Sequence, residues 1–228
     1  MTSRNWVRLF LTTCLIGGIT TAFAGLIVRW SEFQSIFVEF KIMQILSVLV
    51  WLIVMGILFS VISQMGFFAY LTVHRFGLGI FKSVSLWNAV QVVLIIFVLF
   101  DLVYLRYQAF AKSGDSLLPY IGVALFLLLT GAAVAWKKSK DTSKSAFIPA
   151  LFFMVVVTVL EWVPVLRVNE PSWFYLMLIS LLVCNAYQIS ILHKLNSQSD
   201  RQRQTLTEKS AGNQSSSINK KEIKKPSI

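Results

Sequence analysis

The sequence predicts an all-α protein: a transmembrane bundle of six helices with both termini cytoplasmic, followed by a disordered basic tail. Of its 228 residues, 56% are hydrophobic and only 14% charged, where a soluble domain of this size carries about 25% charge. Several uncharged runs approach or exceed about 20 residues, the length at which a helix crosses hydrocarbon. Those runs are continuous, whereas the strands of a membrane barrel alternate in segments of about 10 residues. The mean hydropathy of +0.70 agrees.

The predicted spans are Val7–Val28, Ile42–Ile62, Leu86–Tyr104, Leu118–Trp136, Ala146–Val163 and Trp173–Leu192. With both ends inside, sixteen of the twenty-one Lys and Arg fall on the cytoplasmic side. The other five are Arg29, Lys41, Arg106, Lys112 and Arg167. This is the asymmetry that orients helical membrane proteins. Trp6, Trp87 and Trp136 fall at inner ends, Trp30, Trp162 and Trp173 at outer ends, and Trp51 alone mid-span. The chain thus divides into a membrane domain, residues 1–195, and a tail, residues 196–228.

In the first span, Arg4, Arg8 and the Ala22-Phe23-Ala24 triplet imitate a cleavable signal peptide. The apolar run nevertheless continues to Val28, so the span is expected to stay. Gly18, Ala22 and Gly25 share one face, which invites close approach of another helix from this chain or another. Cys14 and Cys184 read as small apolar packing residues. No C-x-x-C or other metal spacing occurs, so no metal or cofactor is implied.

The second span raises a length problem. One helix over the uncharged run Ile42–Val73 would extend about 48 Å, against a hydrocarbon core of about 30 Å. Ser60, Ser63, Gln64 and Gly66 offer places to leave the membrane. Phe67–Phe81 then reads as an interfacial or shallow re-entrant element, since Gly77 and Gly79 disfavour a regular helix. Arg75 and Lys82 suit an anionic inner leaflet. His74 has no second ligand at metal spacing, and G-x-G alone is too weak a motif for a phosphate loop.

Polar residues inside spans mark function by default. Asp101 and Glu161 lie near predicted outer ends, where they read either as interfacial anchors or as an outward-facing acidic site. Towards the cytoplasm, Ser60, Ser63, Gln64, Asn88, Gln91, Asn185 and Gln188 form a hydrogen-bonded layer if their spans are neighbours. That layer is either structural glue or a recognition surface. The tail lacks aromatics and cannot bury a core. Its KKEIKK run (Lys220–Lys225) could touch anionic lipid, while no fold or aromatic platform supports nucleic-acid binding.

The openings SRNWVRLF (Ser3–Phe10) and FSVISQ-x-GFFAYLTVHRFGLGIFKSVSLWNAVQVVL (Phe59–Leu94), with FVLFDLVYLRYQ after them, closely resemble the KbaA family of spore-forming Bacillus relatives. The resemblance covers most of residues 1–195. It implies a role in starting sporulation, because the family is needed for the membrane sensor kinase KinB to feed the phosphorelay. It implies no catalytic residues. The expected partners are therefore a KinB-like sensor histidine kinase and anionic inner-leaflet lipid, with no nucleic acid. The candidate contact residues are Gln64, Tyr70, His74, Arg75, Phe76, Lys82 and Asn88.

Two other classes are weighed against this. A small-molecule transporter or substrate-binding membrane subunit would place polar or broken-helix features near the midplane, whereas these polar groups cluster towards the two faces. An intramembrane enzyme needs a G-x-S-x-G nucleophile with a buried histidine, or H-E-x-x-H. Glu161 is the only Glu within a span, so an enzyme is not expected.

Overall fold

The computed structural model describes residues 3–112, 114–168 and 170–222, with few side chains beyond Ser199. All its regular elements are helices: α1 (Ser3–Val28), α2 (Trp30–Val38), α3 (Ile42–Phe81), α4 (Val84–Phe110), α5 (Leu118–Asp141), α6 (Lys144–Leu166) and α7 (Pro171–Glu222). Among the described residues six helices, all but α2, are long and apolar enough to cross a membrane.

α1 packs along α3 and α7 through a face of small residues that includes Thr13, Gly17, Gly18, Thr21, Ala24 and Gly25. The crossing with α3 is backbone on backbone. A β-carbon on Gly56 would lie 2.7 Å from the Gly18 α-carbon and against the Gly17 carbonyl. The helix invited by the small residues of α1 is therefore one of this chain's own, and Gly17, Gly18, Thr21 and Gly25 all meet it. The opposite face of α1 exposes Leu11, Leu15, Ile19, Phe23 and Ile27.

α3 corrects the expectation that Gly77 and Gly79 interrupt the helix. It is one helix of 40 residues ending at Phe81, so residues 67–81 continue it rather than fold back. The physical reason lies in the glycines. Gly66 and Gly77 cost helix propensity of about 1 kcal/mol each, but each makes room for a large side chain, Glu161 at one and Trp87 at the other. The stop comes at Lys82, in the left-handed conformation (φ 51°), whose N–H bonds Leu78 O at 3.1 Å. Ser83 then caps α4 by accepting from the Leu86 N–H.

Two tryptophans are placed by contacts across the bundle. Trp51 meets Trp173 edge to face at 5.7 Å, and the Arg29 guanidinium lies 5.4 Å from both rings. Trp51 therefore shares the level of the first turn of α7. Trp162, expected at an interface, is fully buried, and its indole N–H donates to Phe174 O.

α6 is the most enclosed helix. A 3₁₀ turn (Lys144–Ala146) opens it, and a π turn (Phe153–Val157) separates its α-helical stretches Phe147–Phe152 and Thr158–Leu166. The first stretch packs on α4 and α5, the second on α3 and α7. α4 and α5 close the bundle and turn Val93, Ile96, Phe97, Phe100, Leu125 and Leu129 outward.

The last helix runs past residue 195, where the tail is expected to begin. α7 continues as a helix through Glu222 where a disordered tail is expected. Leu195 and Ser199 are buried, and Asn5 donates to Ser199 Oγ at 2.8 Å and to Leu195 O at 3.4 Å. Packing thus ties the start of the chain to residues 195–199. The end of the KKEIKK run lies outside the described residues.

Candidate functional site

The end of the bundle that gathers the start of α1, the α3–α4 turn and the α5–α6 turn also gathers most of the candidate residues. Tyr70, His74, Gly77 and Phe81 recur on one stripe of α3. Against this stripe lies Trp87, in the first turn of α4. Its N–H donates to His74 Nδ1 at 3.1 Å, so a neutral His74 carries its proton on Nε2. Its ring stacks on Phe81 at 5.6 Å and covers Gly77, where a β-carbon would come 2.5 Å from the indole. This clip fixes the α3–α4 turn. Tyr70 is buried beside Phe153 at 4.9 Å.

Two cavities flank the clip and share Leu71, His74 and Leu192 as their wall. The inner one, about 280 Å³, is lined by Tyr70, Asn88, Lys138 and the start of α6. The Asn88 Oδ1 atom is buried there without a hydrogen-bond partner. The outer one is an open groove of about 720 Å³ between Trp6, Phe68, Thr72, Arg75 and Phe76. Arg75, Phe76 and Lys82 are exposed, His74 is half-buried, and Gln64 lies elsewhere in the protein interior. Of the three residues expected to stand exposed, Arg75 and Lys82 do, and His74 does so only in part.

Lys138 was not singled out in the sequence. It is buried, with Nζ 3.3 Å from His193 Nδ1. Basic residues after an apolar run read as a surface patch. The spacing Gly131, Ala135, Lys138 (i, i+4, i+7) was the available sign that this one faces inward.

The polar layer forms on α3, α6 and α7, without α4. Gln188 donates to Ser63 Oγ, and Ser63 donates to Asn185 Oδ1 at 2.7 Å. Asn185 in turn donates to Thr158 Oγ1 at 2.9 Å and Glu161 Oε2 at 2.7 Å. Gln64 belongs to the α1 side of this layer, with its amide 3.5 Å from Phe10 O. Gln91 is buried apart, its amide unpartnered.

Glu161 is therefore a buried member of this layer rather than a headgroup anchor, because it faces α3 and α7 across Gly66. Asp101 lines a separate apolar groove with Phe97, Val159 and Leu160. The structure does not bring the two carboxylates into one outer site.

The chain is 49% identical to the KinB-signaling pathway activation protein of Bacillus subtilis (strain 168) over 194 residues, which is 85% of this chain and 98% of that protein. No solved structure matches it significantly. The family model described as KinB-signalling pathway activation in sporulation matches residues 17–195. By the extent of both matches, this chain belongs to the KbaA family.

Proposed function

We propose that this chain is an integral membrane regulator that activates a KinB-type sensor-kinase pathway feeding the sporulation phosphorelay, through direct contact at the cytoplasmic end of the bundle. The observation that carries this reading is the open groove beside His74, with Arg75 and the 67% exposed Phe76 on its rim. An arginine beside an exposed aromatic is the composition of interface hot spots. The family description and the relative's printed name supply the pathway.

In this reading the six long helices cross the membrane and both termini are cytoplasmic. The basic asymmetry of the sequence and the apolar side chains turned outward support it. From Trp51, level with Trp173, about 20 residues of helix cover the roughly 30 Å of hydrocarbon and end near Leu71. His74 to Lys82 then emerge at the inner surface. Arg75 and Lys82 meet anionic lipid there, at about 1 kcal/mol each, and Phe76 and the groove face the kinase. The chain beyond Ser199 is a cytoplasmic extension of the packed domain.

The test is crosslinking in membranes from single cysteines at residues 75, 76 and 82, in a Cys14→Ala, Cys184→Ala background, with kinase abundance measured in the same cells. Crosslinks to the kinase from 75 and 76, but not from a cysteine at buried position 70, are expected at unchanged kinase level. A kinase level that falls without this protein, with no crosslink, would overturn direct contact in favour of an assembly role.

A further inference from the structure

At the opposite end of the bundle a further cavity, about 300 Å³, lies between the end of α4, the start of α5 and the start of α7. Arg106 borders it. The guanidinium lies 4.1 Å from the centre of the Phe174 ring and 5.4 Å from that of Phe110. Its Nη1 is buried with no hydrogen-bond partner, and the side chain makes no hydrogen bond or ion pair among the described residues. A guanidinium over an aromatic face still has N–H donors to offer a planar acceptor such as carboxylate.

The same cavity is bordered by Glu170, half-buried, whose carboxylate also has no hydrogen bond or ion pair among the described residues. Asp115, the other acid present, is committed: its Oδ2 accepts from the Lys112 N–H at 2.7 Å and closes the α4–α5 turn. The cavity thus holds one uncommitted cation and one uncommitted anion that do not pair with each other. Tyr120, Phe174 and Tyr175 provide aromatic walls.

From this we infer that the Arg106–Glu170 cavity is a binding site for a small zwitterion, an α-amino acid with an apolar side chain. Its carboxylate takes the Arg106 N–H edge, its ammonium faces Glu170, and its side chain lies among the rings. A simple anion leaves Glu170 unanswered and a simple cation leaves Arg106 unanswered. The volume is at the small end of ligand sites, which favours a single amino acid over a longer peptide. The site does not depend on the kinase contact proposed above.

The test is calorimetric titration of the full-length protein in lipid nanodiscs with leucine, phenylalanine, dileucine and propionate. Saturable binding of an amino acid is expected, weakened about tenfold or more by Arg106→Gln and by Glu170→Gln and unchanged by Arg167→Gln. Propionate is expected to bind about tenfold more weakly than the amino acid and to ignore Glu170→Gln. Glu170 is only half-buried and makes no hydrogen bond or ion pair among the described residues, so its variant reads the site even where Arg106→Gln perturbs folding. Dileucine binding more tightly than leucine would overturn the single-amino-acid assignment. Propionate matching the amino acid, or no saturable binding up to about 10 mM, would overturn the zwitterion site itself.

Discussion

The Glu161 carboxylate lies against the backbone of Gly66, so that a β-carbon at residue 66 would fall on Glu161 Oε1. This contact joins α3 to α6, and Asn185 completes it from α7 by donating to the other carboxylate oxygen. Three helices are thereby tied through one side chain enclosed by protein.

Gly66→Ala must therefore push Glu161 off Asn185. Overpacking of this kind costs about 1–3 kcal/mol, and the lost bond adds to it. A marked drop in thermal stability in nanodiscs is expected. Gly79→Ala, where the new methyl meets nothing within 4 Å, is the control and should be neutral or stabilising by up to about 1 kcal/mol.

The clip at the α3–α4 turn makes a second prediction. Trp87→Phe removes the N–H that His74 accepts, and Gly77→Ala inserts a methyl under the indole. Each should destabilise by about 1–3 kcal/mol. Faster limited proteolysis at the Lys82–Ser83 turn than in wild type is the expected readout.

The proposed kinase surface separates function from folding. Arg75→Ala combined with Phe76→Ala should lower pathway output about tenfold at unchanged protein abundance, because both residues are exposed. Gln64→Ala should act through abundance instead, since that amide is buried beside Phe10 and Cys14. A sporulation reporter with immunoblots of the same cultures distinguishes the two.

Truncation locates the end of the packed domain. A chain stopped after Ser199 should melt like the full protein. One stopped after Lys194 loses both partners of Asn5 and should lose about 1–3 kcal/mol, the cost of a stranded buried amide, together with the burial of Leu195.

The helices themselves were legible because the apolar runs are long, and six runs correspond to six helices. What could not be read was the offset of one helix along another. Ile42–Phe81 could slide along its neighbours in many ways, and the contact of Trp51 with Trp173 and Arg29 marks the offset it takes. The same ignorance of offset hid the partners of Glu161, since Trp162 and Arg167 follow it closely in sequence. It faces Gly66 and Asn185, which are distant in the chain. Residues 67–81 were misread for a related reason: a glycine whose partner is unseen reads as flexibility.

The π turn at Phe153–Val157 accommodates one residue more than α-helix would, and one α-helical residue turns a face by about 100°. It acts as a phase shift. Ahead of it α6 is in register with α4 and α5; beyond it Thr158, Glu161 and Trp162 are in register with α3 and α7. Deleting one residue here would leave composition and apolar length almost untouched yet swing the whole second stretch out of phase, so this helix tolerates substitution far better than a change in its count.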